Sequence, residues 1–216
     1  MIHEIDDALR ALIERDALRG SDVEVVFEAP TKDWATRRST PTIDCYLYDI
    51  REDRNRRTSG QATVRDAKGA VVSRHLPPRH FRLAYLLTAW TQRPEDEHRL
   101  LAALLSCFLR TEIIPFELLT GATATLGMPV PVLVAQPPPE NRQLSDVWSA
   151  LGGELKPSLD VVVIAPMDPA SEVPIGPPIS EPPRFGIAGA GGQSETVHGE
   201  APPNHDEDAE IEEVIR

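Results

Sequence analysis

Apolar residues at Ile2, Ile5, Leu9, Leu12 and Ile13 recur at helical spacing, with Asp6, Asp7, Arg10 and Glu14 on the other face. Ile2 to Leu18 therefore predicts an amphipathic helix, ended by Gly20, that packs one stripe on a sheet. The period then changes to two. Val23, Val25 and Phe27 alternate with Glu24 and Glu28, which predicts a short half-exposed strand closed by Pro30. Over Thr42 to Ile50, Ile43, Cys45 and Leu47 alternate with Asp44, Tyr46 and Tyr48, and bulk on both faces marks an inner strand. Arg79 to Thr91 predicts its partner, with Phe81, Leu83, Tyr85 and Leu87 on one face and Ala84, Leu86, Thr88 and Trp90 on the other.

Residues 51–76, between these strands, are polar: Arg51, Arg54, Arg56, Arg57, Arg65, Lys68 and Arg74 stand against Glu52, Asp53 and Asp66. The pattern predicts a projecting hairpin or long loop turning near Lys68 and Gly69, and inserts of this length in compact domains are usually functional. Pro94 followed by Glu95, Asp96 and Glu97 opens a helix running to about Arg110, whose Leu100, Leu101, Leu104, Leu105 and Phe108 make it the main core helix. Ile114 to Leu119 predicts a short helical turn. Thr123 to Gln136 predicts a strand, at an edge or broken because Pro129 and Pro131 cannot donate to a ladder. Ser145 caps a short helix through Ala150, with Trp148 and Leu151 inward and Gly152-Gly153 as its stop, and Leu159 to Ala165 is a last strand.

From Asp168 onward prolines interrupt every element, and a GIAGAGG stretch leads into an acidic end. Low apolar content with like charge predicts disorder there. The closing DEDAEIEEVIR has one helical apolar face, Ile211, Val214 and Ile215, that would fold only against a partner. The fold class expected is α/β (α+β): a mixed, largely antiparallel sheet packed by helices over residues 1–186, with 51–76 as a basic insert and 187–216 as a disordered acidic tail.

The formal charge of -12 sharpens this division. Residues 187–216 hold eight acids and one base, leaving 26 acids and 21 bases on residues 1–186, so the acidity is largely a property of the tail. That balance argues against non-specific nucleic-acid binding, which needs clustered uncompensated bases. Cys45 and Cys107 sit in apolar strand and helix patterns and read as inert core thiols. The N-terminal segment is amphipathic and acidic, unlike a secretory signal, and the apolar run Leu100 to Leu109 is far shorter than the ~20 residues of a membrane span. The expectation is a cytoplasmic protein.

Catalytic chemistry finds little purchase. Glu95-x-x-His98 has the spacing of half a di-iron site, but no second copy accompanies it, and first-turn charges are the simpler reading. His75 and His80 lack partners at zinc-ligand spacing. Gly189, Gly191 and Gly192 lack the flanking strand and helix of a dinucleotide site, and the Arg37-Arg38 pair lies mid-chain, away from any export setting. No cofactor or metal is expected. An enzymatic site could be assembled only from scattered groups such as Asp44, Asp49, His75 and His80. The arginine cluster Arg51, Arg54, Arg56 and Arg57, with Arg65, reads either as a solvated loop or as a surface for acidic partners, where charge sets orientation and on-rate.

Four ordered blocks carry a resemblance: VEVVFEAPTKDWATRRSTPTIDCYLYDIRED, PPRHFRLAYLLTAWT, EDEHRLLAALLSCFLR with its following IIPFELL, and LSDVWSALGGELKPSLDVVVIAP. Over about residues 3–185 the chain resembles the N-terminal domain of the cap, or tail-terminator, family of phage-tail-like contractile injection systems. That resemblance implies a tail-terminator-like subunit, assembling with itself as a sixfold ring, that meets sheath protein and inner tube protein and stops their polymerisation. It brings no catalytic residues. The competing readings are an adaptor or assembly chaperone of the same particle, and the scattered-site enzyme.

Overall fold

The computed structural model of the chain describes residues 1–65, 67, 71–137, 144–169, 172–174, 184–188 and 194–198. Helix α1 (Ile2–Leu12) continues into a π-helical turn, Ile13–Leu18. Arg19 and Gly20 then adopt positive φ, 39° and 82°, which ends the helix at the glycine expected to stop it. Strand β1 (Glu24–Val26) leads to a short helix α2 (Lys32–Thr36), where Thr31 caps by accepting a 3.3 Å hydrogen bond from the Trp34 amide. Strand β2 (Thr42–Glu52) is followed by a 3-10 turn (Arg54–Arg56), β3 (Ala62–Arg65), β4 (Val71–His75) and β5 (Arg79–Trp90). Helix α3 (Pro94–Arg110) begins on its proline, with three acids in the first turn facing the positive end of the helix dipole. A 3-10 turn (Phe116–Leu118), α4 (Gly121–Thr125), β6 (Val132–Val134), α5 (Leu144–Ala150), β7 (Ser158–Met167) and β8 (Glu172–Pro174) follow.

The main sheet has five strands in the order β1-β2-β5-β7-β6. β1 runs parallel to β2, and every other pairing in this sheet is antiparallel. The expected pairing of β2 with β5 is present, from Thr42 opposite Trp90 to Glu52 opposite Phe81, with a bulge between Leu47 and Asp49. β3 and β4 form an antiparallel hairpin, and β4 also pairs with β8. The 51–76 insert is therefore an ordered hairpin at β3 and β4, and the turn expected at Lys68 and Gly69 lies outside the described residues.

One face of the main sheet carries the core. Ile43 and Cys45, Leu83, Tyr85, Leu87 and Ala89, and Val161, Val163 and Ala165 meet Ile5, Leu9 and Leu12 of α1, Ile13 of the π-helical turn, and Leu104, Cys107 and Phe108 of α3. Alternation puts Asp44, Leu86, Thr88, Val162 and Ile164 on the opposite face, and these too are buried. The central strands are thus covered on both sides, as their bulk on alternate positions requires. Trp34 contributes to this second layer, standing edge-on to Trp90 at 5.2 Å between ring centroids.

The strand expected over Thr123 to Gln136 is instead helix α4 followed by the three-residue β6. Threonines 123 and 125 read as strand formers, but tertiary contact overrides them: Glu4 accepts from the Thr123 hydroxyl (2.7 Å) and from the amides of Thr123 (2.9 Å) and Ala122 (3.3 Å), holding the first turn of a helix. The edge position expected for this segment holds, with β6 outermost beside β7.

The chain divides at Pro174, the second unit being Ile175–Arg216. In that unit β9 (Arg184–Ala188) and β10 (Ser194–His198) pair antiparallel, Ser194 opposite Ala188 and His198 opposite Arg184. The boundary expected at residue 186 falls within β9. The closing DEDAEIEEVIR lies outside the described residues.

Candidate functional site

The basic hairpin starts where β2 leaves the sheet. Its arginines face local acids: Arg51 lies 3.0 Å from Asp49, Arg56 3.8 Å from Asp53, and Arg57 3.7 Å from Glu52, which Arg79 also approaches at 3.9 Å. Asp53 is nearly buried and caps the 3-10 turn by accepting from the Asn55 amide, while its own amide donates 2.8 Å to the His80 carbonyl. Arg54 projects into solvent without an ion pair among the described residues, and Arg65 is exposed on β3. The structure brings Arg51, Arg54, Arg56 and Arg57 together at one end of the sheet, with part of their charge already compensated. The arginine side chains are 41–63% exposed while their acids are 10–22% exposed, so the basic groups are the part of each pair that solvent reaches.

The sheet's two outer strands are both blunt. β1 is three residues long, and so is β6. β6 is covered on its outer side by the 112–114 segment: the Val132 amide donates 2.8 Å to the Glu112 carbonyl, the Ile114 amide donates 2.9 Å to the Val130 carbonyl, and Ile113 bridges to Pro131. Short edges, one of them preceded by Pro131 and covered by a neighbouring segment, resist addition of another strand.

At the other end of β2, Asp44 is fully buried. Its Oδ1 accepts from the Glu28 amide at 3.1 Å, and Oδ2 has no hydrogen-bond partner. Burial pushes the carboxyl up to about 8; the Glu28 amide works against the shift and the Glu28 carboxylate adds to it. Glu28 in turn accepts from the Trp34 indole and from Arg38, whose guanidinium stacks 4.6 Å from the Trp34 ring. α2, Trp34 and this network were missed by periodicity. A Thr31 cap followed by Asp33 and an aromatic residue is the signal that could have revealed them.

The scattered groups of the enzymatic reading do not converge. Asp44 and Glu52 are eight residues apart on β2, roughly 25 Å at strand rise. His80 lies at the Glu52 end, since Phe81 pairs with Glu52, and burial lowers its pKa with Arg56 assisting. His75 is exposed on β4, opposite Ala62 and Glu172. Cys45 and Cys107 are buried free thiols, both pushed up by burial. Among the described residues no three His, Cys, Asp or Glu side chains gather to hold a metal ion, and no helix is long and apolar enough to cross a membrane.

A doubly covered sheet with short outer strands and a charged hairpin at one end defines a mixed α/β module. Its lineage is equally defined. The chain belongs to the Pvc16 N-terminal domain family, whose model matches residues 4–181. Among solved structures it is similar to the sheath/tube terminator of an extracellular contractile injection system, PVC, in the extended state, at 20% identity and TM-score 0.62 over 94% of this chain and 65% of that one. It is similar also to the anti-feeding prophage tube-terminating cap, at 20% identity and TM-score 0.56 over 82% of this chain and 58% of that one. The likeness is one of fold, and the chain spans less than two thirds of either structure. No curated protein matches the sequence.

Proposed function

We propose that this chain is a structural cap, or tail-terminator, subunit of a phage-tail-like contractile injection system. It ends tube and sheath polymerisation and anchors the sheath at the distal end, without covalent chemistry. It works as a homo-oligomeric ring, sixfold in the simplest match to a tail, and it is assembled in the cytoplasm with the particle. The family match over residues 4–181 carries this reading. The physics agrees with it: a subunit that fits the last layer of a polymer on one side, and offers blunt strand edges rather than a repeat of that layer on the other, stops growth. Sheath and inner tube are the partners, and Arg51, Arg54, Arg56, Arg57 and Arg65 on the hairpin supply a contact surface for their acidic groups. Electron microscopy of particles from a strain lacking the chain tests the function. Tubes and sheaths of scattered length, restored by the wild-type chain, are expected; an unchanged length distribution would reject it.

A further inference from the structure

We propose that copies of this chain join head to tail, the apolar surface beyond the C-terminal end of α3 in one copy seating in the groove at the N-terminal end of α3 in the next. The proposal takes the ring reading above as its premise and names the interface that closes it. Leu109, Ile113 and Phe116 are large apolar residues left 65%, 51% and 58% exposed within one short stretch of chain. Single exposed apolar residues are ordinary, whereas a cluster marks a surface that a partner covers.

A receptor for them lies at the other end of the same helix. Two adjoining hollows of about 580 and 450 Å³ share Ala35 and Trp90 as a common wall. Leu100 lines the first and Leu155, 70% exposed, the second. Hollows of this size, with Ala35, Trp90, Leu100 and Leu155 as apolar wall and charged groups at the rim, have room for side chains of the Leu and Phe class. The charges are complementary. The residues lining the two hollows include five bases and two acids; of the bases, Arg38 already pairs with Glu24 and Glu28 and Lys156 with Glu97, which leaves Lys32, Arg93 and Arg99 to face a partner. Arg93 and Arg99, 71% and 77% exposed, hold only surface pairs with Glu95 and Asp96. Residues 109–117 carry Glu112 and Glu117 against Arg110, and Glu117 lies 3.2 Å from Arg15 in a pair whose side chains are 68% and 42% exposed. Exposed pairs of this strength exchange partners at little cost.

Helix α3 has 17 residues and so separates the two surfaces by about 25 Å at 1.5 Å per residue. A knob and a hollow on different sides of a subunit make a heterologous contact, and a heterologous contact closes a ring when its rotation divides a full turn. The occupant is therefore a second copy of this chain.

Native mass spectrometry and analytical ultracentrifugation of the full chain test this. The variants Phe116→Asp and Leu155→Glu change exposed positions, and thermal melts check that each stays folded. Each should weaken self-association by about 30-fold or more, the loss expected at a central contact. An equimolar mixture of the two should stop at heterodimers, because one intact knob meets one intact hollow and the remaining pair is dead. Arg93→Glu with Arg99→Glu should weaken assembly as well, and adding Glu112→Arg with Glu117→Arg should restore it. Wild-type oligomers larger than dimers that persist in both Phe116→Asp and Leu155→Glu would overturn the interface and leave the ring intact. A wild-type chain that remains monomeric or stops at dimers would overturn both. Assembly lost in Leu155→Glu but kept in Phe116→Asp would assign the groove to another occupant, such as acidic residues 206–216, and overturn the pairing.

Discussion

Replacing Asp44 by Asn should stabilise the protein at neutral and alkaline pH while leaving it slightly weakened in acid. The side chain is fully buried, with Oδ1 accepting from the Glu28 amide and Oδ2 unpartnered. Its carboxyl is raised from 3.8 to about 8 in the folded protein. Below the unfolded value both states hold the proton, so no penalty exists. Between the two values the unfolded chain releases a proton that the folded chain retains, and stability falls by about 1.4 kcal/mol per pH unit. At pH 7 the accumulated loss is on the order of 4 kcal/mol, and it stops growing above about pH 8. Asn keeps the shape and the acceptor for Glu28 but never ionises. Its amide hydrogens sit where Oδ2 has no partner, an offset of about 1 kcal/mol at every pH. The difference between D44N and wild type should therefore climb from about -1 kcal/mol below the unfolded value, through about zero near pH 4.5, to about +4 kcal/mol near pH 8. Urea denaturation at four pH values measures it, and contributions from other titrating groups such as His80 are common to both proteins and cancel. A difference that stays constant from pH 5 to 8 would refute the reasoning.

Glu4 should behave in the opposite sense: burial alone would raise its carboxyl, but hydrogen bonds from Thr123 and Ala122 prevail and hold it at about 2. Its stabilisation is present above about pH 4.5 and is lost as pH falls toward 2, so Glu4→Gln should cost about 1–3 kcal/mol at pH 7 and flatten the acid limb of the melting curve. Gly121→Ala should destabilise by about 1–2 kcal/mol in thermal melts, because φ is +56° and a Cβ would lie 2.5 Å from the Glu4 carboxylate. Arg54→Glu with Arg56→Glu and Arg57→Glu should leave the melting temperature within a few degrees of wild type, since these are surface residues, while reducing the chain's incorporation into particles measured by immunoblot. Cys45 and Cys107 should resist a thiol reagent in the native protein and react on unfolding, as buried thiols kept protonated do.

Elements with a strong period were legible in the sequence. Helix α3 runs from Pro94 to Arg110 as its proline, acidic first turn and leucine face require, and β5 ends at Trp90, one residue from the expected limit. Bulk on both faces of β2 and β5 correctly placed them inside the sheet. What escaped depends on distant partners. Nothing local tells residues 121–125 to be helical, because the carboxylate that organises them belongs to Glu4. Asp44 reads as a polar residue alternating with Ile43 and Cys45, and nothing local shows that it lies beside β1 and accepts from the Glu28 amide. The bulge after Leu47 has no composition signal, yet it decides which face Asp49 and Ile50 occupy. The arginine cluster and its neighbours Glu52 and Asp53 were visible by composition, whereas the pairing of Arg56 with Asp53 and of Arg57 with Glu52 depends on the 3-10 turn, and Arg51 finds Asp49 two residues back on the same strand. The groove beside Trp90 joins residues 23, 35, 90 and 100, and no spacing rule connects these.

The central claim is that this chain closes one end of a contractile tail by surface fit. Cryo-electron microscopy of purified particles carrying an epitope-tagged copy, labelled with antibody, tests it most directly. The account predicts label confined to one tip of the extended particle, in a single layer at the end of tube and sheath. Label spread along the sheath, or particles with none, would contradict it.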